Sequence, residues 1–208
     1  KGKPMLDRHV ARVACQTCHV PTFARTLPTK MWWDWSTAGK DQPVPKDEYG
    51  QPTYDKMKGD FKWAKDVRPV YLWFNGAVER VLMGERINPD KVTHLNYPKG
   101  SRANRQAKIT PFKLMRGKQP YDAGNKVIAV PHLFGPGGYW QTYDWGSAIA
   151  NGMKLAGLAY SGQYAFAETD MVWKVNHMVV PKAQALTCNE CHGASGRMDW
   201  KALGYAGD

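Results

Sequence analysis

Two copies of one five-residue pattern constrain this chain more than anything else in it. The first is Cys15-Gln16-Thr17-Cys18-His19 and the second is Cys188-Asn189-Glu190-Cys191-His192; together they use all 4 cysteines. C-x-x-C-H is the attachment signature of c-type haem. The spacing has a physical reason. Two thiols three positions apart share one face of a helical turn, within reach of the two vinyl groups of one porphyrin. The adjacent histidine then presents its imidazole to the iron from the same side. A zinc ribbon also uses paired C-x-x-C knuckles, and a redox dithiol uses one. Neither calls for histidine directly after both second cysteines. The cysteine count therefore closes on two covalently bound haem c groups, with thioethers at Cys15, Cys18, Cys188 and Cys191 and no disulfide.

Each iron has two axial positions, and the motifs assign His19 and His192 to the proximal ones. Four histidines remain for two distal positions: His9, His94, His132 and His177. His9 lies six residues before Cys15 in a helix-like lead-in, beside the haem-binding turn. His177 lies eleven residues before Cys188, and Pro181 is placed to start a helix that carries Ala183 to Thr187 into the second motif. His132 sits in a turn, Val130 to Gly135. His94 is a further candidate. Methionine is an alternative ligand that raises the haem potential, but it is also common core filler. With more histidines than irons, bis-histidine ligation is favoured. Such irons are low-spin and six-coordinate, which suits electron transfer better than catalysis.

The 208 residues fit one dihaem cytochrome domain, 1–208, whose motifs bracket a haem-free middle, 20–187. A content of 20 Gly and 14 Pro argues against long unbroken helices. No apolar run reaches the roughly 18 residues of a membrane span. The chain opens on Lys1 with no apolar leader after it, so it reads as a trimmed product or as part of a longer polypeptide. Haem is attached to such motifs outside the cytoplasm, which places the protein in the periplasm or outside the cell of a prokaryote. That location excludes nucleic acid as the partner of the +11 charge. Lysine and arginine near the haem edges are expected to pair with propionates, and the remainder to steer a redox partner.

Within the middle, Trp32, Trp33 and Trp35 read as packing against porphyrin or core. Phe61 to Phe74 has β-type composition, and Asn75-Gly76 predicts a hairpin continuing through Ala77 to Gly84. Lys108 to Val130 reads as paired strands. Tyr139 to Leu158 is the best helix, with apolar residues near helical spacing. The expected fold is of multihaem cytochrome c type, mainly α, with much irregular loop and short β-hairpins.

Longer strings carry a resemblance. They include Val20-Pro21-Thr22-Phe23-Ala24-Arg25 after the first motif, Lys30-Met31-Trp32-Trp33-Asp34-Trp35-Ser36, and Val70-Tyr71-Leu72-Trp73-Phe74-Asn75-Gly76. Ile109-Thr110-Pro111-Phe112-Lys113, Arg116-Gly117-Lys118-Gln119-Pro120-Tyr121-Asp122, Asn176-His177-Met178 and Gly196 to Tyr205 continue it. In these the chain resembles the C-terminal part of the octahaem tetrathionate reductase family. Members carry eight haems, and the catalytic, lysine-ligated haem belongs to the N-terminal part. The resemblance implies no catalytic residue here. It implies electron-transfer haems, with His9, His132 and His177 as distal ligands and spare histidines that reach haems elsewhere.

Two functions follow as expectations. One is electron transfer to haems of other proteins or of copies of this chain, which a non-closing contact would extend into a filament. The other is a share in a multihaem reductase of tetrathionate or nitrogen oxyanions.

Overall fold

A computed structural model describes residues 3–193 and 195–206. The chain begins with two helices, α1 (Lys3–Arg12) and α2 (Cys15–His19). Seven strands follow: β1 (Thr29–Asp34), β2 (Tyr54–Asp55), β3 (Gly59–Ala64), β4 (Val70–Phe74), β5 (Val78–Arg80), β6 (Thr93–His94) and β7 (Asn96–Pro98). The rest comprises β8 (Lys108–Asp122), β9 (Val127–Ile128), α3 (Tyr139–Thr142), α4 (Trp145–Leu155), β10 (Tyr164–Lys174) and α5 (Cys188–His192).

The expectation of a mainly α chain is overturned: 30% of the chain is strand and 19% is helix. The Lys108 to Val130 stretch does pair within itself, β8 with β9, and the aromatic and β-branched stretches join one mixed sheet. Its order is β2-β3-β1-β8-β10-β6, with β4 and β9 also paired to β8. Helices stay short, as the Gly and Pro content requires, and two of them are the five-residue haem motifs themselves.

The 15-residue β8 organises the sheet. Antiparallel β10 runs along one edge, from Phe112 opposite Lys174 to Asp122 opposite Tyr164. The other edge is shared in succession. Phe112 faces Val70 of β4, Gly117 faces Trp33 of parallel β1, and Asp122 faces Val127 of β9. Asn75-Gly76 does turn the chain, with Gly76 at φ 101°. Its flanking strands do not pair with each other, however: β4 pairs with β8, and β5 with β7. The predicted helix over Tyr139 to Leu158 divides at Tyr143, which takes the left-handed conformation, and Asp144 caps the second part through the Ser147 backbone N–H.

One core cluster joins Tyr139, Trp145, Ala148, Ile149 and Met153 to Val127 and Ala129. Here α4 lies directly on backbone. A methyl group on Gly152 would meet the Val130 carbonyl oxygen at 1.9 Å and the His132 nitrogen at 2.5 Å. Helix propensity alone would make Gly152→Ala stabilising by about 1 kcal/mol. The clash is with main chain that cannot swing aside, and overpacking of this kind costs about 1–3 kcal/mol or more. Gly152→Ala is therefore expected to lower the urea midpoint, and a raised midpoint would show that α4 sits farther from the Val130–His132 segment.

Candidate haem-binding site

The first motif is fixed by its variable residues. Thr17 is fully buried and its hydroxyl donates to the Ile109 carbonyl at 2.8 Å, beside the Ala14 backbone N–H at 2.9 Å. This turns the Thr17 face of α2 onto the start of β8. Val20, directly after the motif, is fully buried with Phe23, Ala24 and Val175. Thr17→Val keeps the shape and removes one hydroxyl. Because Ala14 still satisfies Ile109, the expected loss is about 1 kcal/mol, read by urea unfolding with haem content unchanged.

The segment before the second motif is tied to the first. The Val180 N–H donates to the His19 carbonyl at 2.8 Å, and the Leu186 N–H to the Cys18 carbonyl at 2.9 Å. The His19 Nδ1 lies 2.9 Å from the Val180 carbonyl. A carbonyl only accepts, so Nδ1 carries the proton and Nε2 keeps its lone pair for a metal.

The second motif is held from both sides. Glu190 caps α5 by accepting from the Thr187 backbone N–H at 2.8 Å. Arg197 donates to Glu190 at 3.1 Å and to the Pro21 carbonyl, just after the first motif, at 2.8 Å. The Trp200 indole N–H donates to the Cys191 carbonyl at 3.2 Å, and its ring stacks on His192 at 5.2 Å.

The 168 residues between the motifs thus fold away as sheet and return the chain to its start. Burial pushes the Cys18 thiol up, and the nearby Cys15 and Cys188 sulfurs add to the shift. Burial pushes Cys191 up as well, with Cys18 next in effect. Both motifs therefore sit in one neighbourhood. A cavity of about 490 Å³ opens there, lined by His9, Cys18, Cys188, Cys191, His192 and Trp200 among mainly apolar side chains.

Across this cavity the rings of His9 and His192 face each other, with centroids 6.0 Å apart and planes within 16°. Half of that separation is the sum of a metal–nitrogen bond of about 2 Å and the radius of a five-membered ring. That spacing would let His9 and His192 hold one metal ion between them. The residues present fit a haem: two thiols on one helical face, a facing imidazole pair, and an apolar space between them.

The other histidines lie elsewhere. His177 is exposed in a groove with Phe23, Lys113 and Trp173. It stands three residues before Val180, so its segment passes behind the Nδ1 side of His19. His132 is half-buried against α4, its backbone N–H donating to the Ala148 carbonyl. His94 is paired with the buried Asp170. Among the described residues no group of three or more His, Cys, Asp or Glu converges to hold a metal ion. Sequence reasoning missed Thr17, Val180, Arg197, Trp200 and Asp170. Only a buried-type Thr inside a motif and an acid within an apolar strand hinted at them.

Paired C-x-x-C-H turns with an opposed imidazole define a c-type cytochrome. Residues 30–195 match the family of bacterial cytochromes c, and the chain belongs to that family, with covalently bound haem c. An octahaem cytochrome c from Shewanella oneidensis has a crystal structure that is similar over 100% of this chain, with 48% sequence identity and a TM-score of 0.95. The chain covers 49% of that one, and so spans about half the length of the structure it matches. No curated protein matches. No described helix is long and apolar enough to cross a membrane.

Proposed function

We propose that the chain binds two haem c groups and passes electrons between them and haems outside its own two motifs. The observation that carries this reading is the facing pair His9–His192 across the cavity at 6.0 Å. His9 and His192 would hold an iron bound between them, and the chemistry it would supply there is electron transfer rather than substrate binding. Haem supplies the redox change when bound. The chain's own residues orient the imidazoles, through Val180 at His19 and Trp200 at His192, and exclude water with the apolar lining.

The two sites differ. Among the described residues no second ring faces His19. The distal ligand of the first iron then comes from outside the described residues, whether from a longer polypeptide, a redox partner or another copy of this chain. A head-to-tail contact between copies would build a filament. The relative from Shewanella oneidensis is an octahaem protein twice as long, which supports a place for this chain in a larger array. A second reading, suggested by the sequence resemblance alone, is a share in a tetrathionate or nitrogen-oxyanion reductase. Location in the periplasm or outside the cell follows from covalent haem attachment.

The test is a haem count on the purified holo chain. Two haems per chain by alkaline pyridine spectrum, with no reoxidation of the reduced chain by nitrite, hydroxylamine or tetrathionate, is the expected result. One haem, or reoxidation by one of these compounds, would overturn the dihaem or the carrier reading respectively.

A further inference from the structure

Helix α1 carries His9, yet none of its side chains from Leu6 to Arg12 is buried, and Leu6 and Val10 are 63% and 57% exposed. The helix has 10 residues, and helices shorter than about 12–15 residues are marginal in water without tertiary support. Its anchors are therefore polar. Val13, just after the helix, bridges to Ile109, and the Ala14 N–H donates to the Ile109 carbonyl at 2.9 Å. These contacts fix where the chain leaves α1, not the direction of its axis. The Lys108 ammonium donates to the Val10 carbonyl at 2.7 Å, a point contact about which the helix can still turn.

Arg12 supplies the orientation. It lies three residues after His9, one turn along the same side of the helix. One guanidinium nitrogen donates to the Asn104 carbonyl and the other to the Arg102 carbonyl, each at 2.7 Å. The same group lies over the Trp73 ring, 4.5 Å from its centroid. Trp73 is buried in a core cluster with Ile109 and Leu203, so the fork grips a fixed surface. A planar fork sets an angle where an ammonium sets only a distance.

The grip reaches the facing imidazole as well. Arg102 lies over the Tyr205 ring at 4.5 Å and donates to the Gly204 carbonyl at 2.9 Å. Tyr205 stacks on Trp73 at 6.4 Å and meets Trp200 edge-on at 5.4 Å, and Trp200 is the ring stacked on His192. Both imidazoles are thus referenced to one aromatic block: His192 through Trp200, and His9 through α1 and Arg12.

We propose that Arg12 is the positioning residue for His9. Its guanidinium clamps α1 where two imidazoles can share one iron, and loosening the clamp opens that iron to an added ligand. This rests on the His9–His192 reading above and makes the distal position one that α1 can open.

The test is the carbon monoxide affinity of the second iron in the reduced holo chain, followed by difference absorption. Arg12→Ala removes two hydrogen bonds from a charged donor, and the affinity is expected to rise by about 10–100-fold. Arg12→Lys keeps the charge over Trp73 but not the fork, and should fall between Arg12→Ala and the wild type. A residue that served only overall stability would lower the urea midpoint and leave the affinity alone. Wild-type affinity in Arg12→Ala overturns the proposal; if that variant does not fold, wild-type affinity in Arg12→Lys does so. His9→Ala is the reference. If it too leaves the second iron closed, the ligand reading has failed. If it opens the iron and Arg12→Ala does not, only the role of Arg12 has failed.

Discussion

Replacing His9 by alanine is expected to double the carbon monoxide bound by the reduced holo chain, from one per chain to two. His9 and His192 lie 6.0 Å apart with nearly parallel planes, so in the proposed dihaem chain the second iron would be held by both imidazoles. A sixth ligand held in the fold competes with any added one at high effective concentration. Alanine removes it and cannot be replaced locally, because no other imidazole lines the cavity. The ferric band of one haem should move toward high-spin at the same time. The single equivalent in the wild type comes from the first iron, whose His19 faces no second ring among the described residues. Equal uptake by both proteins would show that His9 is not the ligand.

Changing both Cys15 and Cys18 to serine is expected to reduce the covalently bound haem from two to one, measured by the mass of the denatured chain. The zinc-ribbon alternative gives a different number, because a chain with no haem to begin with loses none. The effect should also reach the second haem. Val13, Thr17 and Cys18 line the cavity that His9 and His192 face, so the first motif forms part of the wall around the second. With that wall opened to water, added imidazole should exchange for His9 faster than in the wild type. A second haem indifferent to the loss of the first would mean that the motifs do not share a wall.

What was legible in the sequence was local. The C-x-x-C-H pairs carry their chemistry in five residues, and the helical lead-in to His9 shows in its own pattern. The capped α4 announced itself through Asp144 and its apolar spacing. What failed depended on partners far along the chain. The Asn75-Gly76 turn is real, but β4 finds its partner beginning at Lys108 rather than across the turn. The long β10 was not read at all. Its centre, Glu168-Thr169-Asp170, breaks the apolar alternation, and Thr169 and Asp170 are buried polar residues with partners on other strands. The mainly α expectation gave too little weight to the β-type stretches read over Phe61 to Phe74 and Lys108 to Val130. Those stretches join one sheet, and strand makes up 30% of the chain. His94 ranked last among the spare histidines because nothing adjacent to it in sequence marks it, and its orienting carboxylate lies 76 residues away.

The tie between the two motifs sets an order of assembly. Leu186 bonds to Cys18, Val180 to His19, and Arg197 to Pro21, so the last stretch of the chain closes onto the first. Contacts that span so much sequence form late in folding. Once they form, the Cys191 thiol is 8% exposed. The machinery that makes a thioether must reach that sulfur, so attachment has to come before closure. Maturation of this cytochrome is thus a race between haem delivery and the last stage of folding. A chain that closes first is trapped with its second haem unattached, and slowing that closure should raise the yield of fully loaded protein.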